Sequence, residues 1–561
     1  MPKRLAKAKW QFRVLYHVFL LRVVDLELLS ANGDPTRLLG QFATIFASIS
    51  LLFTLPGLLF LAASQRLKST EAWTVEHFFI ATTLTATGLI AVLNWDLVFP
   101  DRRDVLVLGP LPVRSSTLFL AKVAAMFAAP TLTIVGLNIF SGLVWPVLFF
   151  SGAGGAWGLL RAWPAYWFTV SAAGVFIVFA VLAVQGIAAN LLPRQYFLRL
   201  SAFMQATAFC VLLSLYFLEP HLESRAALGA PDNQRLLAWL PSYWFLGLFQ
   251  QLSGSMHPEF VPLARRAWVA LAVSVLGAVG ALLLSYFRMM RKIVEQPEIL
   301  PGARSISWSL GFGDSLRGAI TLLSVRTLFR SRQHRMILSF FAGIGLAIVV
   351  GYVTAFGGRG TTTGISIAFM IASILMLVFV VLGIRVVAAI PISLSANWII
   401  RATQVRPSSD YRSAVRFSWL AIGVVPLWLF VAGFFSAMFP WRPVFGHLVV
   451  LLLFGMILVE LCLYTFQKIP FTCSYLPGKA NIPIAFWVGL VLLFQLVSTG
   501  ARLEKRMLSH PLDCALMIFL LAVILAGLRW LIEARRKDIE ELVFEEEYAP
   551  DIVSLNLVSR K

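Results

Sequence analysis

Long uninterrupted apolar runs constrain this chain more than any other feature of its sequence. Many windows hold about 18 or more apolar residues with few charges, which is enough to cross roughly 30 Å of hydrocarbon as a helix. A helix also satisfies its own backbone hydrogen bonds in lipid. The 561 residues are 59% hydrophobic and 13% charged, whereas a soluble domain carries about a quarter charged residues. The sequence therefore predicts an all-α, polytopic transmembrane helical bundle.

The apolar runs predict about twelve spans, and the basic residues between them predict an orientation. The predicted spans are 41–64, 78–98, 118–140, 166–188, 200–218, 267–286, 336–355, 365–389, 417–439, 448–464, 484–497 and 512–528. Lys and Arg accumulate in cytoplasmic loops, and the most basic loop is 287–335. Both termini are therefore predicted in the cytoplasm. The loop with Arg502, Lys505 and Arg506 would lie outside, against this rule.

These assignments divide the chain into five segments. They are a cytoplasmic N-terminus with an amphipathic interfacial helix (1–40), a first six-span half (41–290), a basic cytoplasmic linker with a second amphipathic helix (291–335), a second six-span half (336–530) and a charged cytoplasmic tail (531–561). An amphipathic helix with basic residues on its polar face lies in the headgroup region. The predicted location is the inner or plasma membrane, as a multi-pass protein.

The two halves share an internal repeat. The loop after the second span contains Ser115, and the loop after the eighth contains Ser408, 293 positions later. The first and seventh spans are 295 positions apart. An even number of spans in each half makes the repeat parallel. Chance similarity of two basic loops is the competing interpretation.

Composition and motifs exclude several functions. The net charge of +20 follows from the positive-inside rule and predicts contact with lipid headgroups, not nucleic acid. No cysteine pair has metal-ligand spacing, and neither a metal site nor a cofactor is predicted. The chain contains no Gly-x-x-x-x-Gly-Lys-Ser/Thr phosphate-binding loop: Gly478-Lys479 is followed by Ala and lacks the upstream glycine. No catalytic residues are predicted, because no Ser-His-Asp pattern can be recognised from spacing.

Three ionisable residues, Asp96, Arg385 and Glu460, fall within predicted spans near their cytoplasmic ends. A charge at the centre of a span costs about 2.5–3.5 kcal/mol. One interpretation is interfacial anchoring or an interhelix pair. The other is a cytoplasmic gate or a proton-coupled site. The span centres are otherwise almost free of charge, which argues against an ion-coupled transporter with a midplane carboxylate.

The segment 99–122 is a charged, proline-containing interruption between two apolar runs, and the topology places it in the cytoplasm. It contains Asp101-Arg-Arg-Asp104, then apolar residues, Leu111-Pro-Val113, paired serines and Lys122. This pattern resembles the segment after the second span in permease subunits of type-two ABC exporters. The amphipathic N-terminal helix is similar to the interfacial elbow helix of that family, and six spans per half is its permease size.

The resemblance implies an exporter permease driven by a separate cytoplasmic ABC ATPase that docks on this loop. The implied coupling residues are Asp101, Arg102, Arg103, Asp104, Leu111, Pro112 and Arg114. The implied second coupling loop contains Arg401, Arg406, Asp410 and Arg412, without a Leu-Pro-Val. The partners would be this ATPase, the bilayer and an unknown substrate. ATP hydrolysis would belong to the separate subunit, so this chain would not itself be an enzyme.

Two other functions fit the same composition. One is a polytopic membrane enzyme acting on a lipid-linked substrate, for which the segment 219–259 has acidic residues and His221 and His257 but no recognisable spacing. The other is a secondary transporter, which would respond to an ion gradient and ignore ATP.

Overall fold

The computed structural model describes residues 2–24, 35–62, 69–94, 113–149, 155–254, 257–295, 316–356, 365–390, 409–464, 466, 470–471 and 482–535. Every regular element in these ranges is a helix, and they contain no strand. Ten of the helices are long and apolar enough to cross a membrane. The prediction of an all-α, polytopic membrane protein is therefore confirmed.

The chain forms two compact units, Met1–Ser305 and Ile306–Lys561. The helices of the first unit are α1 (Pro2–Val24), α2 (Pro35–Ala62), α3 (Ser69–Leu93), α4 (Ser115–Asn138), α5 (Ser141–Phe149), α6 (Gly155–Leu191), α7 (Arg194–Leu218), α8 (Arg225–Gly229), α9 (Pro231–Leu237), α10 (Pro241–Ser253) and α11 (Val261–Glu295). A 3-10 turn, Pro258–Phe260, precedes α11. The core of this unit lies where α3, α6 and α10 meet.

The helices of the second unit are α12 (Leu316–Arg330), α13 (Arg332–Phe356), α14 (Ile367–Ala389), α15 (Ser409–Trp419), α16 (Val425–Met438), α17 (Trp441–Tyr464), α18 (Ile482–Leu508) and α19 (Pro511–Arg535). A π-helical turn, Leu420–Val424, joins α15 to α16. The ring of Pro426 clashes with the carbonyl group of Ile422 in a regular helix and removes a hydrogen bond. A widened turn at this place accommodates both effects.

Ten of the twelve predicted spans coincide with the ten membrane-length helices. The fifth corresponds to a shorter apolar part of α7, Phe203–Leu218, and the eleventh to the first half of α18. The prediction of a loop at Arg502, Lys505 and Arg506 is wrong, because α18 continues to Leu508. Lys and Arg are good helix formers and are favourable near a helix C-terminus.

The first two candidate spans of each unit show the same burial pattern, a peripheral helix followed by a central one. In the most apolar part of the candidate spans of α3 and α14, 67% of the residues are buried, whereas in those of α2 and α13 only 17% are buried. In the first unit α3 contacts α4, α6 and α7, and in the second α14 contacts α13, α17 and α18. Apolar side chains on α2 and α13 are therefore left to face lipid.

An amphipathic helix packs against the helix that follows each predicted coupling loop. In the first unit α1 lies on α4, with Leu15 and Phe19 in one apolar cluster with Leu118 and Ala121. In the second unit α12 lies on α15, and its Ile320 shares the core with neighbouring apolar residues of α15. These contacts fix the first turns of α4 and α15 to a second helix.

Close backbone approach in the first unit depends on Gly247 of α10. A Cβ atom added there would lie 2.6 Å from the Cβ of Leu263 and 2.8 Å from the backbone nitrogen of Ala264. These atoms belong to α11 and are not flexible side-chain ends. Only glycine allows α10 to pack this closely on α11.

Candidate functional site

Most of the predicted coupling residues lie outside the described residues. They are Asp101, Arg102, Arg103, Asp104, Leu111, Pro112, Arg401 and Arg406. Arg114 is the N-cap residue of α4 and is exposed. Asp410 and Arg412 fall in the first turn of α15. The structure therefore describes where both loops end but not the loops themselves.

Glu460 is the centre of an ion cluster in the second unit. Its side chain on α17 is 1% exposed. The Nη2 atom of Arg416, on α15, donates to Oε2 at 3.1 Å, and the Nε atom of Arg529, on α19, donates to Oε1 at 2.9 Å. Each carboxylate oxygen thus has a charged donor, and three helices meet at one side chain. This geometry supports the interhelix-pair interpretation of Glu460.

Arg385 of α14 is also engaged between helices. Its Nε atom donates to the carbonyl oxygen of Cys462 at 3.0 Å, and its guanidinium carbon lies 4.7 Å from the ring centroid of Phe466. A guanidinium over an aromatic face gains cation–π energy and loses less hydration than an ammonium would. Asp96, the third predicted intramembrane residue, lies outside the described residues.

A serine, a histidine and a glutamate come together in the second unit, although they lie far apart in sequence. The Oγ atom of Ser373 is 2.9 Å from Nε2 of His447, and Nδ1 of His447 is 2.7 Å from Oε1 of Glu504. All three side chains are buried. The imidazole also stacks on Phe435, with ring centroids 5.5 Å apart. The arrangement links α14, α17 and α18 through one continuous chain of hydrogen bonds.

The order of these groups is that of a nucleophile, a general base and an orienting carboxylate. The surroundings of Ser373 differ from those of a nucleophile, however. Its hydroxyl lies 2.8 Å from the carbonyl oxygen of Met370 in the preceding turn of α14. It sits within a continuous helix, where neighbouring backbone N–H groups are paired and cannot form an oxyanion hole. The contacts therefore connect helices and fix the imidazole orientation.

A second histidine–carboxylate cluster occurs in the first unit, near the start of α3. The buried imidazole of His77 lies between two glutamates, with Nε2 3.4 Å from Oε1 of Glu219 and Nδ1 3.3 Å from Oε1 of Glu223. It stacks on Tyr243 of α10, with centroids 4.1 Å apart. The segment after α7 is thereby attached to the central helix of the unit.

Two groups of this cluster outside the spans have shifted pKa values. Burial acts to raise the pKa of the Glu223 carboxyl, but hydrogen bonding and charge from His77, with backbone hydrogen bonding, outweigh it, so this pKa lies below the ordinary value. Burial, with the nearby carboxylates, raises the pKa of Tyr243. The cluster therefore contains an ionised Glu223 and a neutral Tyr243 phenol.

The threonines of α3 form hydrogen bonds between helices. Thr82 lies 2.8 Å from the hydroxyl of Tyr216, and Thr83 accepts from the Nδ2 atom of Asn138 at 3.0 Å. The hydroxyl of Tyr166 donates to Oδ1 of the same Asn138 at 2.7 Å. The polar side chains of α3 thus join α4 and α7 to the central helix, and Asn138 of α4 extends the connection to α6.

Sequence reasoning did not find either histidine cluster. The partners of His77 lie more than a hundred positions away, and those of His447 lie on two other helices. One feature of the sequence could have indicated both clusters. His77 and His447 each lie directly before a predicted span, at its predicted outer end. Among the described residues, no group of three His, Cys, Asp or Glu side chains could hold a metal ion.

Comparison with protein-family models, curated proteins and solved structures found no match to this chain. The functional conclusion therefore depends on the residues and contacts described above.

Proposed function

We propose that this chain is the membrane permease of an ATP-driven exporter, coupled through cytoplasmic loops to a separate ABC ATPase. The observation that carries the proposal is the packing of α1 on α4 and of α12 on α15. Both α4 and α15 begin where a predicted coupling loop ends. A force applied to such a loop is transmitted only if its outgoing helix is held by a second rigid element.

The packing of α1 provides such a connection in the first unit. Leu15 and Phe19 pack in one cluster with Leu118 and Ala121, one to two turns after Arg114. The Nζ atom of Lys122 lies 5.5 Å from the ring centroid of Phe19. In the proposed mechanism, ATPase closure displaces the segment 99–114. Because α1 and α4 are packed together, they then move as one body at the membrane surface.

The same proposal includes twelve spans in two similar halves, with both termini in the cytoplasm of an inner or plasma membrane. Three correspondences between the units support it. They are the central α3 and α14, the peripheral α2 and α13, and the packed pairs α1–α4 and α12–α15. Under this arrangement one chain supplies both permease halves, and its loops offer two contacts to the ATPase subunits.

The test is ATPase association after charge reversal in the first loop. The full chain is purified from its native membranes with its associated proteins, and ATP hydrolysis per mole of chain is measured. We expect Arg102→Glu with Arg103→Glu to reduce both the co-purified ATPase and the hydrolysis. The matched control reverses Arg265 and Arg266 at the start of α11, on the proposed outer side, and should leave both unchanged.

Two results would overturn the proposal. One is full ATPase association after deletion of residues 101–112, because the loop would then not be the docking element. The other is substrate movement that follows an ion gradient and persists without ATP, which would indicate a secondary transporter. Equal losses in the loop variant and in the Arg265/Arg266 control would assign the effect to general charge.

A second candidate, a membrane enzyme acting on a lipid-linked substrate, is favoured by one observation, the order Ser373, His447 and Glu504. An activated serine would react with an alkyl fluorophosphonate: its oxygen bonds to phosphorus, fluoride leaves and His447 takes the hydroxyl proton, so that the serine is phosphonylated. We expect no labelling of Ser373 in the intact protein. Labelling that disappears in Ser373→Ala would support the enzyme over the permease.

A further inference from the structure

An open groove lies between α1 and the first turns of α4. It has a volume of about 770 Å³. Its lining includes Lys9, Trp10, Arg13 and Tyr16 of α1 and Thr117 and Leu120 of α4. Leu15 and Phe19, further along α1, make the packed contact with α4. The groove is therefore the part of this helix pair that the apolar contact leaves uncovered.

The charge of the groove is positive. Lys9 and Arg13 are both exposed and are four residues apart, so they lie on one face about 6 Å from each other along the axis. The helix α1 contains six Lys and Arg residues and no Asp or Glu. Among the described residues, no carboxylate lies within ion-pair distance of either Lys9 or Arg13. The groove thus offers two adjacent cations to an anionic group.

Part of the groove lining is apolar and exposed. Leu120 is 57% exposed and Trp10 is 66% exposed. Leu120 lies in the first turns of a candidate span, Ser116–Asn138, so its side chain is at the level where hydrocarbon begins. Tryptophan is enriched at this level because its ring is apolar and its N–H group is polar. A ligand that contacts both the cations and Leu120 must itself be amphipathic.

We propose that this groove binds one anionic phospholipid, with its phosphate between Lys9 and Arg13 and an acyl chain against Leu120. The hydroxyl groups of Thr117 and Tyr16 are additional hydrogen-bond donors for phosphate oxygens. Bound in this way, the lipid contacts α1 and α4 together and strengthens the pair. The inference depends on the groove alone and holds whether or not an ATPase docks on the adjacent loop.

The test is native mass spectrometry of the full chain in detergent, titrated with dioleoyl phosphatidylglycerol or dioleoyl phosphatidylcholine. The wild-type chain should prefer phosphatidylglycerol. Two basic residues near an anionic surface together contribute about 2 kcal/mol, so Lys9→Gln with Arg13→Gln should weaken phosphatidylglycerol binding about thirty-fold. Binding of phosphatidylcholine should change little. The charge-conserving pair Lys9→Arg with Arg13→Lys should retain the preference.

Two controls make the result specific. Arg502→Gln with Arg506→Gln removes the same charge from the exposed end of α18 and should leave the preference intact. Leu120→Gln should weaken phosphatidylglycerol binding without altering the chain's response to inorganic phosphate. The proposal is overturned if the groove variant binds like wild type, if Leu120→Gln has no effect, or if inorganic phosphate displaces the lipid completely. The last result would identify a simple phosphate site.

Discussion

The ion cluster at Glu460 allows a quantitative test of how the second unit is held together. Its carboxylate is 1% exposed, whereas the side chains of Arg416 and Arg529 are 19% and 35% exposed. Removing one side of a buried ion pair costs about 3–5 kcal/mol because the remaining charge is uncompensated. Which side is removed should therefore matter, since both arginines are partly exposed whereas the glutamate is not.

Replacing both arginines leaves the carboxylate buried without a partner. We expect Arg416→Met with Arg529→Met to lower the free energy of unfolding by the full amount of about 3–5 kcal/mol. Glu460→Gln keeps the size of the side chain, but its NH2 group cannot accept a hydrogen bond from a guanidinium. It should cost about 1.5–3 kcal/mol, the contribution of one hydrogen bond to a charged group.

The assay is thermal unfolding of the purified chain in detergent, followed by tryptophan fluorescence. For a unit of this size, about 1 kcal/mol corresponds to a shift of roughly 2–4 °C in the midpoint. Arg442→Met is the matched control, because Arg442 is exposed and stacks only on the neighbouring Trp441. The free energy of unfolding of this variant should stay within about 0.5 kcal/mol of the wild-type value. Equal shifts for the double arginine variant and Glu460→Gln would refute the reasoning.

Three further outcomes are expected from the first unit. Gly247→Ala should lower the unfolding midpoint by several degrees, because the new Cβ meets backbone atoms of α11, whereas Gly277→Ala, whose nearest contact is an ordinary 3.7 Å, should not. Tyr166→Phe should lower the free energy of unfolding by about 1 kcal/mol, because Asn138 loses a hydrogen-bond donor. The shift of the same unfolding midpoint measures this loss. The pKa of Glu223 is lower in the folded state than in the unfolded chain. Its stabilisation is thus complete above the ordinary carboxyl pKa and lost as the pH falls below it; a midpoint–pH profile of Glu223→Gln that is as steep as wild type below pH 5 would contradict this.

The predicted spans were accurate where composition alone decides the structure. Ten apolar runs became membrane-length helices, because a lipid-exposed backbone has no alternative way to satisfy its hydrogen bonds. The prediction failed at Arg502, Lys505 and Arg506, where charge was taken as evidence for a loop. Charged residues are compatible with a helix that extends beyond the membrane, and local composition does not show where the helix ends.

By itself, the sequence determined the class of the protein, the positions of ten spans and the absence of a phosphate-binding loop. The partners of the polar side chains were decided only by the tertiary structure. Ser373, His447 and Glu504 are brought together by helix packing, and so are Glu460, Arg416 and Arg529. Apolar runs are local properties that each segment carries independently. A buried polar contact depends on which faces of distant helices meet, and this is set by packing across the whole unit.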